Sequence, residues 1–345
     1  MLIQLYFSYT LVGGIAMLLF IKCIMAMMVG LFLSLIVGFC LLPILREKKL
    51  NQRLSVYLKD THHDKSNVPT MGGLIFILPT IFLMTVLVIM GKVEMTYNLF
   101  ICLFAFIGYA IIGLIDDYLI IYKNNNKGLS EVAKLILQII VAIFLFYFFM
   151  IAGNEPLIWI HTLGIKWNIG WLYGIFILLV LISSSNAVNL TDGLDGLAAG
   201  LSIIAFFTMG IITAMTGWLE GYQEISIFIF TLIGSLTGFL FFNANPAKIF
   251  MGDTGSLSLG ATLGIIAILT RHELLLLIIG IVFVIETTTC IIQRVYYKFT
   301  HKRIFPMTPI HHTFEKILPE REVVKIFWIV GLFASLVALI FGVWI

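Results

Sequence analysis

The stretch FAFIGYAIIGLIDDY, Phe104–Tyr118, carries the reading of the fold. Phe104 to Ile115 hold no charge, and the next two residues are the carboxylates Asp116 and Asp117. Extended upstream to residue 97, the apolar run has the ~20-residue length that crosses a bilayer core as a helix. Acids so close to lipid are costly, by about 2.5–3.5 kcal/mol each at helix centre. Two side by side also repel each other and raise each other's pKa unless a cation relieves them. The pair therefore marks either a membrane boundary or a place where a cation and chemistry are required.

The rest of the chain repeats the pattern. It has 345 residues, of which 61% are hydrophobic and 11% charged, and its mean hydropathy is +1.08. Those values exclude an ordinary soluble domain. A net charge of +3 is too small to point to nucleic acid. Apolar stretches near 22–44, 72–91, 97–115, 132–151, 171–188, 196–215, 224–243, 256–270, 273–293 and 325–344 predict an all-α polytopic membrane protein of about ten transmembrane helices. No polar segment is long enough for a separate domain, so residues 1–345 read as one integral-membrane unit. The Gly13-Gly14 pair suggests that residues 5–20 form a separate interfacial helix, with an eleventh span as the alternative. The eighth stretch is short and rich in Gly and Ser, so it must pack closely against its neighbours.

Seventeen of the 21 basic residues fall on alternate loops of one parity, and all seven aspartates fall on the same side. The positive-inside rule makes that side cytoplasmic and both termini external. Each cytoplasmic loop carries an unusual polar sequence. Lys65 and Thr70 precede the Gly72-Gly73 entry to the second span; they read as phosphate contacts or as an ordinary juxtamembrane turn. The third loop, Ser183–Gly196, holds Asn186, Asn189, Asp192 and Asp195 with no basic residue. Asp192 and Asp195 are three apart, which would place them on one face of a helical turn. A substrate or metal site fits that composition, and the spacing does not match an EF-hand. Asp253, between Gly252 and Thr254, could cap the eighth span or help bind an anion at its N-terminus. His311-His312 in the fifth loop suit metal binding, proton donation or phosphate contact. Glu286, inside the ninth span, is expected to hydrogen-bond Thr287, Thr288 and Thr289. The outer loop Asn154–Gly170 looks featureless beside these.

Taken together, these motifs resemble a known family. PTMGG (Pro69–Gly73), DDY (Asp116–Tyr118), NKGLS (Asn126–Ser130), NAVNLTDGLDGLA (Asn186–Ala198), FNANPA with FMGDTGSL (Phe242–Leu257), KRIF.M.PIHH.FE (Lys302–Glu315) and FWI (Phe327–Ile329) are similar to phospho-N-acetylmuramoyl-pentapeptide transferases, over essentially the whole chain. The wider superfamily of polyprenyl-phosphate N-acetylhexosamine-1-phosphate transferases shares the aspartate motifs. The resemblance implies a cytoplasmic active site in the bacterial inner membrane, Mg²⁺ as cofactor and, commonly, a homodimer. The implied reaction joins UDP-N-acetylmuramoyl-pentapeptide to undecaprenyl phosphate and releases UMP. It also implies residue roles. Asp253 and Asp117 would bind metal, and Asp116 and Asp117 would serve the lipid phosphate. Lys65, Thr70, Asn189, Asp192, Asp195, Asn243 and Phe250 would hold the nucleotide sugar, and His311 and His312 would meet phosphate or sugar.

The chain departs from the family's pattern in three places. Ser66-Asn67-Val68 replaces the usual x-Gly-Thr, Thr313 stands where a third histidine is usual, and Ile120 stands where a basic residue is usual. A related hexosamine-1-phosphate transferase is the competing reading. An ion-coupled transporter is a more distant one, since transporters keep such acids near the bilayer midplane rather than at span ends.

Overall fold

A computed structural model of the chain describes residues 2–47, 68–123, 128–160 and 163–344. Lys65 lies outside the described residues. The elements in order are α1 (Leu2–Glu47), α2 (Leu74–Ile89), α3 (Tyr97–Tyr122), α4 (Glu131–Ile151), β1 (Leu157–Ile160), β2 (Ile165–Asn168), α5 (Leu172–Thr191), α6 (Leu197–Met215), α7 (Tyr222–Asn243), α8 (Gly252–Leu269), α9 (Leu276–Ile279), α10 (Ile281–Thr300), α11 (His311–Phe314) and α12 (Glu320–Leu339).

Among the described residues, eight helices are long and apolar enough to cross a membrane. The shorter apolar α2, and the broken pair α9–α10 bent by 86°, bring the count close to the ten expected. The ninth stretch, expected at 273–293, is broken rather than continuous: the chain turns at Gly280, and α10 then runs on to Thr300. Residues 5–20 also differ from expectation, because α1 runs unbroken through Gly13-Gly14. Two helical glycines cost only about 2 kcal/mol in propensity. A break in an apolar environment would leave several backbone groups unpaired at greater cost. The outer loop between α4 and α5 forms an antiparallel hairpin, pairing Leu157 with Asn168 and Ile160 with Ile165. Its Ile and Trp residues favour extended backbone.

Burial ranks the helices. Of α8's most apolar window 89% is buried and of α7's 83%, against 22% for α4. Thus α7 and α8 form the centre, and α4 faces lipid. The centre is built from small residues, as close helix packing in lipid requires. In α8, Gly260 lies under the Ser184 carbonyl of α5, and Gly113 of α3 lies against the Asp253 carbonyl. Helices α3 and α5 both pack along α8. This brings the C-terminal ends of α3 and α5 beside the N-terminus of α8, at one end of the bundle. The opposite end is closed by Arg271. Its guanidinium donates to the Leu157 carbonyl at 3.0 Å, the Tyr173 hydroxyl at 3.0 Å and the Glu155 carbonyl at 2.5 Å.

Candidate active site

Asp117 lies near the C-terminal end of α3, where the helix dipole disfavours an anion. Its environment comes instead from α8. Asp117 Oδ1 accepts the Asp253 backbone N–H at 3.1 Å, and Oδ2 accepts the Thr254 N–H at 3.0 Å and the Thr254 hydroxyl at 2.6 Å. A carboxylate from another helix thus serves the orphan donors at the start of α8. The expected capping role of Asp253 belongs to Asp117. Gly252 makes room for this arrangement. It has φ +74°, and a Cβ there would come within 2.5 Å of Asp117 Oδ2 and 2.8 Å of Thr70 Oγ1. Thr70 is buried beside it, with its hydroxyl unpartnered among the described residues.

With its backbone held by Asp117, the Asp253 side chain is free to turn outward. Its Oδ2 takes the Lys134 ammonium at 2.5 Å, and Asp116 Oδ2 takes the same ammonium at 3.3 Å. Asn189 Nδ2 donates to Asp253 Oδ1 at 2.7 Å and to Ser256 Oγ at 2.9 Å. Asp116 Oδ1 accepts the Leu129 N–H at 2.7 Å. Four helices, α3, α4, α5 and α8, therefore converge on one cation. Sequence reading used Lys134 only for topology. The missed signal is its spacing to Gln138: i and i+4 put two polar residues on one face of an otherwise apolar helix. Gln138 is buried.

Around this centre the other expected residues divide into two groups. Asn243 and Asp195 act as struts. Asn243 Oδ1 accepts the Gly196 N–H at 3.1 Å, and its Nδ2 donates to the Ile249 carbonyl at 2.9 Å. Asp195 Oδ2 accepts the Ala247 N–H at 2.9 Å and Asn245 Nδ2 at 3.1 Å. Glu320 at the start of α12 completes the tie, accepting the Asp195 N–H at 2.8 Å. Nothing in the sequence singled out Glu320 or Asn245. Asp192 and Asp195 do not share a helical turn, because α5 stops at Thr191 and the chain reverses through Gly193 to Gly196 at φ +79°. Burial pushes the Asp192 carboxyl up to about 8, with the charges of Asp253, Asp117 and Asp195 adding to the effect. Phe250 is half-buried, and its backbone holds the first loop in place: its N–H donates to the Pro69 carbonyl and its carbonyl accepts the Gly72 N–H, both at 2.8 Å.

The histidines meet this assembly from the fifth loop. His311 lies against Gly193, and its ring is 4.2 Å from that of His312. His312 Nδ1 is 2.6 Å from Glu315 Oε2. Glu286 does not spend its carboxylate on the threonines. Thr289 bonds only its backbone carbonyl, at 2.8 Å, while Glu286 Oε2 stands 3.1 Å from His311 Nδ1. Thr313 binds both the N–H and the carbonyl of Met307, at 3.2 and 2.6 Å. The missing third histidine is thus replaced by a staple within the loop.

Among the described residues no group of three His, Cys, Asp or Glu side chains could hold a metal by itself. A hard divalent cation that keeps its waters and binds substrate phosphates needs only one or two carboxylates. Asp253 Oδ2 and Asp116 Oδ2, gathered on one ammonium, supply that donor set. Three of Asp117's acceptor positions are already taken, which leaves one lone pair on Oδ1.

The sequence that carries these carboxylates has counterparts in known proteins. Residues 99–271, from α3 through α8, match the family model for glycosyl transferase family 4. The phospho-N-acetylmuramoyl-pentapeptide-transferase of Geobacillus thermodenitrificans (strain NG80-2) is 40% identical over 325 residues, 93% of this chain and 98% of its own length. The chain belongs to the phospho-N-acetylmuramoyl-pentapeptide-transferase family. The Bacillus subtilis (strain 168) member is 40% identical over 92% of this chain and 97% of its own. The member from Shouchella clausii (strain KSM-K16) is 41% identical over 88% and 92%. With its many apolar helices, the chain is a multi-pass protein of the bacterial inner membrane.

Proposed function

We infer that this enzyme transfers phospho-N-acetylmuramoyl-pentapeptide from its UDP-linked donor to undecaprenyl phosphate. UMP is released, and the product is the first lipid-linked peptidoglycan precursor. One observation carries the assignment of the site: Asp116 and Asp253, distant in sequence, share the Lys134 ammonium beside the buried Asp117.

In this reading the site assembles two anions. Asp253 and Asp116, with the open lone pair of Asp117, would hold Mg²⁺, and the oxygen-only donor set suits that ion. When bound, Mg²⁺ neutralises pyrophosphate charge and polarises the β-phosphate. Lys134 pairs with the lipid phosphate, and Asp116, whose Oδ1 keeps a lone pair beside the Leu129 N–H, takes up that phosphate's proton. A lipid phosphate oxygen attacks the β-phosphorus in line, forming one P–O bond as the bond to UMP breaks. Orientation and charge neutralisation supply most of the acceleration in such reactions. Asn189 orients Asp253. Thr70, Asp192 and Phe250 face the nucleotide sugar, with Lys65 closing over it, and His311 and His312 meet the phosphate or sugar. Asn243 and Asp195 support that pocket from behind through backbone bonds. The loop charges support a site on the cytoplasmic face with the termini outside, and we extend to this chain the homodimer common in the family.

Purified protein given both substrates should yield the lipid-linked phosphosugar by mass spectrometry. Asp253→Asn should lower turnover by at least about a hundredfold, the cost of losing a charge that stabilises the transition state. A near-native rate for that variant at saturating Mg²⁺ would refute the metal assignment. A product formed from UDP-N-acetylglucosamine instead would refute the substrate.

A further inference from the structure

Gln138 is the one amide in the otherwise apolar run Leu135–Phe146 of α4. Only 22% of that helix's most apolar window is buried, yet Gln138 itself is 2% exposed. It heads the buried stripe Gln138, Ala142, Leu145 and Phe149, which recurs at helical spacing on the inner face of α4. One step back along that stripe stands Lys134, whose ammonium joins Asp116 and Asp253. Gln138 Nε2 is nevertheless buried with no hydrogen-bond partner among the described residues. Buried side-chain amides are normally paired, and one left unpaired costs stability that an apolar residue of the same length would not.

The position of the amide indicates what would pair with it. Gln138 lies one helical turn, about 6 Å, further from the start of α4 than Lys134. Helical side chains lean toward the N-terminus, which carries the amide back over the Lys134 turn. A nucleotide sugar reaches the acidic cluster from the aqueous end of the bundle. A membrane-bound phosphate enters it from the lipid side, which α4 faces.

We propose that Gln138 is a further binding residue for the lipid acceptor, its Nε2–H₂ donating to an oxygen of the polyprenyl phosphate that pairs with Lys134. The proposal rests on the reaction inferred above. An amide supplies donors without adding charge. A hydrogen bond to an ionised phosphate is among the stronger ones. The donor is a burden in the free enzyme and is satisfied only when the lipid phosphate is bound. Removing it should therefore move stability and lipid affinity in opposite directions.

The test is Gln138→Met, which keeps the length of the side chain and removes the donor. Kinetics are measured in detergent with the UDP-linked muramoyl-pentapeptide and undecaprenyl phosphate, beside the Tm of each protein. The variant should raise KM for the lipid phosphate about tenfold and leave KM for the nucleotide sugar within about twofold. Its Tm should equal or exceed that of wild type, because no protein partner is lost. A wild-type KM for the lipid phosphate, or an equal rise in both KM values, would overturn the proposal. A lowered Tm would show that the amide holds the helices together, and would overturn it as well. Gln138→Leu repeats the measurement should Gln138→Met not fold, and failure of both to fold has the same meaning as a lowered Tm. If wild-type protein forms no lipid product, the inferred reaction fails and takes the proposal with it, a result read before any variant.

Discussion

At the scale of single residues, the site depends on a division of labour among neighbouring acids. Asp116 and Asp117 are adjacent, yet one faces a mobile-charge partner in Lys134 and the other is locked into the N-terminus of α8. Thr254 doubles its contact to Asp117 through its hydroxyl, at 2.6 Å. Thr254→Val keeps the volume and should cost about 1.5–3 kcal/mol, as expected for a hydrogen bond to a charged group. A lower Tm in detergent would show it, and an unchanged Tm would deny Asp117 its structural role. Asp192 offers a pH test. Its carboxyl is raised from 3.8 to about 8, so the folded state holds a proton that the unfolded chain releases. That contribution to stability is complete below pH 4 and is lost as pH rises through 8. In metal-free buffer, the Tm of Asp192→Asn should therefore gain on wild type from about pH 5 to about pH 9. A difference that does not change with pH would contradict the half-buried placement of Asp192 near Asp253, Asp117 and Asp195.

At the scale of elements, α8 sets the geometry of everything else. Its small residues let α3 and α5 approach until backbone meets backbone, and that contact carries Asp117 and Asn189 to Asp253. A Cβ at Gly260 would meet the Ser184 carbonyl of α5. Gly260→Val should separate the two helices at a cost of about 1–3 kcal/mol or more, since the colliding atom is backbone and cannot rotate away. Activity should fall with Tm, because Asn189 lies on the displaced helix. A Tm within experimental error of wild type would mean that α5 and α8 are not in contact there.

At the scale of the whole molecule, the bundle has two unlike ends. One gathers Asp116, Lys134, Asn189, Asp253 and the His311 loop, and the other holds the hairpin and Arg271. From the basic loops we propose that the first end faces the cytoplasm. Cysteines introduced at the exposed Leu163 of the hairpin and at exposed Lys302 should report this directly. A membrane-impermeant maleimide added to intact cells should label Leu163→Cys and leave Lys302→Cys unmodified until the membrane is opened. The reverse pattern would invert the topology and put the nucleotide site out of reach of its substrate.

Much of this protein follows from local chemistry along the chain. Runs of about 20 apolar residues can only be helices in lipid, because every backbone group there must be paired within its own segment. Clustered acids at span ends likewise announced a charged site, and the motifs around Asp116, Asp192 and Asp253 announced its family. Tertiary structure decided what each polar group does. That Asp117 caps α8, that Asp195 and Asn243 are struts, and that Glu286 reaches His311 depend on helices far apart in sequence. So does the meeting of Lys134 with Asp253, at 119 residues' separation. Hydrogen bonds act over about 3 Å, and only packing determines which distant atoms come that close.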